Sequence, residues 1–289
     1  MKRSQILIVV VAIALVAALF FLPKVVVNNE EKATAAGTEA NAGLPEGHSE
    51  DDGHDHGAAE GEAAIEAHRT ATPEQLMALT TARAKYNKAT DEQTRSRVAV
   101  ELAEAYSNAA KYDSAGYYYE IAAEARGGEK SYKRAGDAYY EAFTFAATQE
   151  RASDLGAKAR SMYEQVLKNN PSDHDAKTNV AMTYIATSNP MQGITMLREV
   201  LASNPNHEKA LFNLGILSIQ SNQYDKAVGH FEKLISVNPQ HVEGTFYLAV
   251  ALAETGQTER AKQLFNKVKS MSSDPALNTS VDEYLARLQ

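Results

Sequence analysis

EKALFNLGILSIQSNQYDKAVGHFEKLISVNPQH, residues 208–241, is the stretch on which the fold is decided. Counted from Glu208, Leu214 and Gly215 stand seventh and eighth, Tyr224 seventeenth, Ala227 twentieth, Phe231 twenty-fourth and Pro239 thirty-second. Small residues at the eighth and twentieth positions let two helices of one unit approach closely. The large residue at the twenty-fourth plugs the space to the following unit. Proline at the thirty-second ends the second helix, because it lacks an N–H and clashes with the preceding turn.

The pattern repeats in both directions. Pro171, Pro205 and Pro239 are 34 residues apart, and each follows Asn. The next unit, 242–275, carries Leu248, Ala249, Gly256, Ala261 and Phe265 in register, and the previous one, 174–207, carries Tyr184, Gly193 and Leu197. Asn189-Pro190-Met191-Gln192 reads as an N-cap, a first-turn proline and a capping-box glutamine opening the second helix of that unit. Upstream, 96–128 places Leu102, Ala103, Tyr106, Tyr112, Ala115, Tyr119 and Ala122 at the expected positions, with Gly127-Gly128 as the break. The unit 129–173 is eleven residues over length, which predicts elongated helices around Phe143 to Asp154. Thr72-Pro73-Glu74-Gln75 predicts an additional leading helix over 73–90, and Ser280-Val-Asp-Glu283 predicts a short capping helix over 280–288.

These residues resemble the tetratricopeptide repeat family, whose period is 34 residues. The resemblance covers 91–275 and implies an all-α fold: a right-handed superhelical solenoid of about five helix-turn-helix repeats (96–128, 129–173, 174–207, 208–241 and 242–275) within 91–289, about twelve helices with the end elements. It also implies that first helices line a concave groove through their second, fifth, ninth, twelfth and thirteenth positions. Carried onto this chain, the groove offers Asp175, Thr178, Met182 and Ile185, then Lys209, Phe212, Ile216, Ile219 and Gln220, then Glu243, Phe246, Val250 and Glu254. Met182, Phe212, Ile216, Phe246 and Val250 form an apolar stripe suited to a helical or extended segment of a protein partner. Some members clamp a peptide carboxylate with Lys and Asn at the fifth and ninth positions. Repeats three to five depart from that pattern, with Thr178/Met182, Phe212/Ile216 and Phe246/Val250.

Ahead of the repeats, Ile6 to Leu22 is an unbroken apolar run of seventeen residues. As a helix it reaches about 25 Å, near the lower limit for a bilayer core. Lys2 and Arg3 precede it and acids follow, so residues 1–5 form a cytoplasmic stub, 6–22 a single transmembrane signal anchor, and everything after is translocated. A cleaved signal peptide is the competing reading, but bulky Phe20-Phe21-Leu22 and the distant Ala33-Thr34-Ala35 fit it poorly. In the bacterial layout that the resemblance brings to mind, the repeats lie in the periplasm on the inner membrane. Residues 23–72 read as a flexible linker; 28–70 alone carries a charge of −9, against −8 for the whole 289-residue chain. Its His48, His54 and His56, set among carboxylates, are candidate loose metal ligands, and otherwise part of a solubilising spacer.

The absence of cysteine removes thiolate metal sites, thiol nucleophiles and disulfide frameworks. The acidic balance argues against nucleic acid as a partner. No phosphate loop, GxSxG, HExxH or paired-carboxylate motif is present, and no cofactor is expected. His174, His207 and His241 follow the Asn-Pro breaks and read as surface loop residues. Among the clustered aromatics, Tyr119, Tyr139 and Phe143 are assigned to the core and Tyr140 to the groove. The expectation is therefore a non-enzymatic, membrane-tethered adaptor for protein partners. A metal-handling linker and a self-associating scaffold are the alternatives.

Overall fold

The computed structural model describes residues 71–289 apart from Ser188, and these residues form twelve α-helices. They are α1 (Pro73–Lys88), α2 (Glu92–Asn108), α3 (Tyr112–Arg126), α4 (Glu129–Thr144), α5 (Gln149–Asn169) and α6 (His174–Ala186). They continue as α7 (Pro190–Ser203), α8 (Glu208–Gln220), α9 (Tyr224–Val237), α10 (Val242–Glu254), α11 (Thr258–Met271) and α12 (Pro275–Arg287). No strand occurs among the described residues. Each helix packs on the next, and the first helices of successive hairpins also touch, α4 on α6, α6 on α8 and α8 on α10. The segments 1–5 and 6–22, and nearly all of 23–72 with His48, His54 and His56, lie outside the described residues. Among the described residues no helix is long and apolar enough to cross a membrane.

The 34-residue spacing produces one local geometry three times over. Asn170, Asn204 and Asn238 close α5, α7 and α9, and their N–H groups donate to Val166, Val200 and Leu234 at 2.7–2.8 Å. Three residues later Asp173, His207 and His241 each donate their own N–H back to that asparagine at 3.1 Å. The intervening proline cannot extend the helix. Inside the hairpins, the turn of the 96–128, 208–241 and 242–275 units passes through a left-handed residue at the same position: Ala110 (φ 57°), Asn222 (φ 56°) and Gly256 (φ 78°).

The small eighth residue is required by the aromatic of its own hairpin. A Cβ on Gly215 would lie 2.5 Å from the Phe231 ring, and one on Gly136 would lie 2.9 Å from Tyr163. The core divides into four adjoining clusters rather than one: α1–α4, α4–α6, α6–α8 and α8–α12. The over-length unit does contain longer helices, 16 and 21 residues against 13 and 14 in the three units after it. The extension is pinned by ion pairing of Arg151 with the mostly buried Asp113 of α3 and by Gln149 donating to the Ala186 carbonyl at 3.0 Å.

Several boundaries and caps differ from the sequence expectation. The leading helix ends at Lys88, inside the expected 73–90 segment, and Thr72 and Gln75 form a reciprocal capping box. The hairpin of 96–128 begins at Glu92, capped by Asp91. The last helix starts at Pro275 rather than at residue 280: Asp274 accepts from the Ala276 N–H at 2.8 Å, and the Ser280 hydroxyl donates backward to Ala276 inside the helix. Asn189 and Gln192 make no side-chain cap bond at α7. In the core, Tyr118 is the buried tyrosine of α3, stacked on Tyr106, whereas Tyr119 is half-buried between two clusters.

Candidate functional site: a mixed groove across the first helices

The first helices α4, α6, α8 and α10 together enclose a groove pocket of about 530 Å³. On α4 the fifth, ninth, twelfth and thirteenth positions, Lys133, Asp137, Tyr140 and Glu141, face it. Opposite them stand Asp175 and Asn179 of α6, Lys209, Phe212 and Asn213 of α8, and His241 at the start of α10. Tyr163 of α5 contributes to the lining.

The polar groups on the α4 side are tied to their neighbours. Asn179 donates to the Tyr163 hydroxyl at 2.8 Å, which donates to Asp137 at 2.7 Å. Burial, and then the Asp137 charge, push the Tyr163 phenol far above its ordinary value, so it stays a donor. Burial also raises the Asp137 carboxyl, against the lowering effect of the Tyr163 hydrogen bond and of Lys133. Lys133 bonds Asp173 at 2.5 Å, tying α4 to the cap of α6. Burial opposes the lysine charge, but that bond together with the charges of Asp173, Asp137 and Asp175 outweighs it and raises the Lys133 pKa. Lys209 pairs with Asp175 at 3.1 Å. Both lysines are thus matched by carboxylates, whereas Asp137 and Glu141 form no ion pair among the described residues. Tyr140 is half-buried, its hydroxyl pushed up to about 12 by burial. Tyr140 and Phe212 supply the ring surfaces of the walls.

The expected groove residues divide. Tyr140, Lys209 and Phe212 line the pocket. Met182 and Ile185 pack in the α6–α8 cluster, and Ile185 lies over Gly193 of its own hairpin. Ile216 and Ile219 are half-buried against the C-terminal cluster. Phe246 meets Tyr284 of α12 edge-on at 5.8 Å, and Val250 is buried in the cluster shared with Val281. Thr178 is buried as well. The apolar stripe is therefore not an open surface at its C-terminal end. α12 lays Val281 and Tyr284 over the last hairpin.

Sequence reasoning missed Lys133, Asp137, Glu141, Asn179 and Asn213. The fifth and ninth positions of the 129–173 unit read Lys and Asp by the same numbering, so that signal was present. The three histidines are not free surface side chains: His207 and His241 end their loops as helix caps, and His174 is the first residue of its helix. His207 and His241 cap α8 and α10, their Nδ1 atoms accepting from the Ala210 N–H at 3.3 Å and the Gly244 N–H at 3.0 Å. His174 begins α6 and meets the His207 ring edge-on at 5.9 Å. The His241 ring stacks on Phe212 at 5.3 Å and 22°, so the cap of α10 is also part of the groove wall.

A smaller pocket of about 240 Å³ is bounded by Val100, Tyr119 and the cations Arg126, Lys130 and Arg134. Arg134 reaches Glu104 of α2 at 3.4 Å. No group of carboxylates and histidines suited to a metal ion occurs among the described residues.

Residues 218–278 match the tetratricopeptide repeat family model. A tetratricopeptide repeat protein from Parabacteroides merdae superposes with a TM-score of 0.54 at 19% identity, covering 74% of this chain and 82% of that one. YrrB, described as a tetratricopeptide repeat protein with an unusual peptide-binding site, gives 0.44 at 18% identity over 71% of this chain and 98% of its own. MamA gives 0.46 at 17% identity over 59% and 94%. No curated protein matches the sequence. The likeness to the Parabacteroides protein shows that the helical hairpins adopt the tetratricopeptide-type fold.

Proposed function

We propose that the protein is a non-enzymatic adaptor that holds an extended or helical segment of a protein partner in the groove across α4, α6, α8 and α10. The pocket between Tyr140 and Phe212 carries this reading. It offers two ring surfaces for an apolar side chain and, within the same space, Asp137, Glu141 and Asn213 for polar ones. Such a mixed lining suits the alternating apolar and polar side chains of a bound segment. Both groove lysines are engaged by carboxylates, Lys133 by Asp173 and Lys209 by Asp175.

The adaptor is tethered to a membrane by the apolar run 6–22 and held at a distance by the acidic stretch 28–70. The flanking charges orient it with the repeats outside the bacterial cytoplasm, where it assists protein assembly or secretion. Tethering raises the local concentration of the groove around membrane-bound partners without demanding high intrinsic affinity.

Photo-crosslinking in the native host tests the groove directly. A benzophenone side chain placed at Asn213 is expected to yield a discrete adduct with one or a few proteins. The same group at Met191, 65% exposed, serves as a control away from the pocket. Equal adducts from both positions, or none from Asn213, would remove the groove as the working surface.

A further inference from the structure

We infer that the groove is acid-sensitive, because His207 and His241 hold the N-termini of α8 and α10 through an acceptor that protonation abolishes. The other described side-chain caps in the repeats are carboxylates or hydroxyls: Asp91 for α2, Thr148 for α5 and Asp173 for α6. At two consecutive repeat junctions the same place is taken by imidazole, accepting through Nδ1 from Ala210 and Gly244. Neutral imidazole has one acceptor nitrogen. Imidazolium has two N–H donors and none, so no ring flip restores the bond. The charged ring also faces the positive end of the helix dipole. Protonation therefore removes the cap and places a repelled charge beside it.

The surroundings of each ring decide how readily this happens. At His207, burial opposes the charge, as do the His174 ring of α6 and Lys209 of α8, while Asp175 of α6, 3.5 Å from Nε2, favours it. The balance keeps His207 neutral to lower pH than an ordinary histidine. His241 stacks on Phe212 of α8 and shares its pocket with Glu208 and Lys209 of that helix; Glu243 lies in the first turn of its own helix. Because His241 and Phe212 are in contact, loss of the α10 cap disturbs the groove wall itself.

The uncapping stands on its own geometry, and its effect on a partner rests on the groove reading above. Hydrogen exchange of the full chain in detergent, corrected for intrinsic rates, is followed from pH 7.5 down to pH 4.0, a range that extends well below the ordinary histidine value that His207 undercuts. Amides in the first turns of α8 and α10 are expected to lose protection on the order of fivefold at the acid end, the size of one lost cap. Those of α6, capped by Asp173, should not. His207→Asn with His241→Asn supplies a neutral cap throughout that range, and the acid-induced loss should vanish. His207→Asp with His241→Asp provides a second replacement that uses the cap residue already present at position 173. An equal change in wild type and both variants, or no change in wild type, overturns the inference. The Asn213 crosslink, followed over the same pH range, separates the two readings. An adduct absent at every pH sinks the groove, whereas pH-independent protection of α8 and α10 sinks the acid sensitivity.

Discussion

Ala110 holds φ at 57°, a conformation in which its Cβ crowds the backbone, at the hairpin position that Gly256 fills in the last unit. Left-handed backbone costs an L-residue about 1–2 kcal/mol, so Ala110→Gly is expected to stabilise the protein by roughly 1 kcal/mol in urea denaturation, despite the added flexibility of the unfolded chain. Gly215 is the reverse case. The space its missing Cβ leaves is filled by the fully buried Phe231 ring. Gly215→Ala should cost about 1–3 kcal/mol through overpacking, visible as a lower urea midpoint with unchanged slope. Of these two, only Gly215 was legible from the sequence, because its spacing to Phe231 belongs to the repeating pattern. A left-handed alanine leaves no trace in composition or periodicity. The histidine caps were equally hidden, since Asn-Pro-x-His looks like a solvated loop until the Nδ1 geometry is seen.

At the scale of elements, Asp173 joins two helices that are not consecutive. Its Oδ1 caps α6 through the Ala176 N–H at 2.9 Å and its Oδ2 binds Lys133 of α4 at 2.5 Å. Burial works against its charge, but the Lys133 hydrogen bond and the Ala176 N–H outweigh it and hold the carboxyl below the usual aspartate value. A carboxyl lowered in the folded state binds protons more readily when unfolded. Its stabilisation is complete above the unfolded value of 3.8 and is lost as pH falls through the folded one. Asp173→Asn preserves a capping oxygen and removes the ion pair. It should cost about 1 kcal/mol at pH 7, discounted for the partly exposed lysine, and less at a pH low enough to protonate the wild-type carboxylate. An equal cost at both pH values in urea melts would contradict the ion-pair account. The unit that holds Lys133 is also where the groove escaped sequence reasoning. It is over length, its helices run past the usual boundaries, and the groove positions of repeats three to five drew the reading toward an apolar stripe. Two of those stripe residues, Phe246 and Val250, pack with Tyr284 and Val281 of α12, a covering by the last helix that the sequence allowed but could not decide, because a terminal helix has no pattern position to fix where it docks.

Across the whole set of described helices, stability is a chain of neighbour contacts rather than one shared core, and the chain has a weak link. Consecutive helices pack most sparsely at α7–α8, between the third and fourth repeats, where Leu197 and Val200 of α7 meet Ala210 and Leu214 of α8 in the smallest of the clusters. The period of 34 residues announced the number of hairpins, yet it is blind to this variation, because the same pattern positions are filled by small residues at one junction and aromatics at the next. Phe231 stacks on Tyr247 at 5.9 Å across the α9–α10 junction, and no such ring pair spans α7–α8. In a linear array, weakening one junction uncouples the blocks on either side of it. Leu197 is fully buried, so Leu197→Ala should remove about 2–5 kcal/mol locally. Native-state hydrogen exchange should then resolve two groups of helices, α2–α5 and α9–α12, that open with separate free energies and separate urea slopes. If every helix still exchanges through one common opening, the junction is not the place where the array divides, and acid uncapping of α8 would have to spread into α6 rather than stop at that seam.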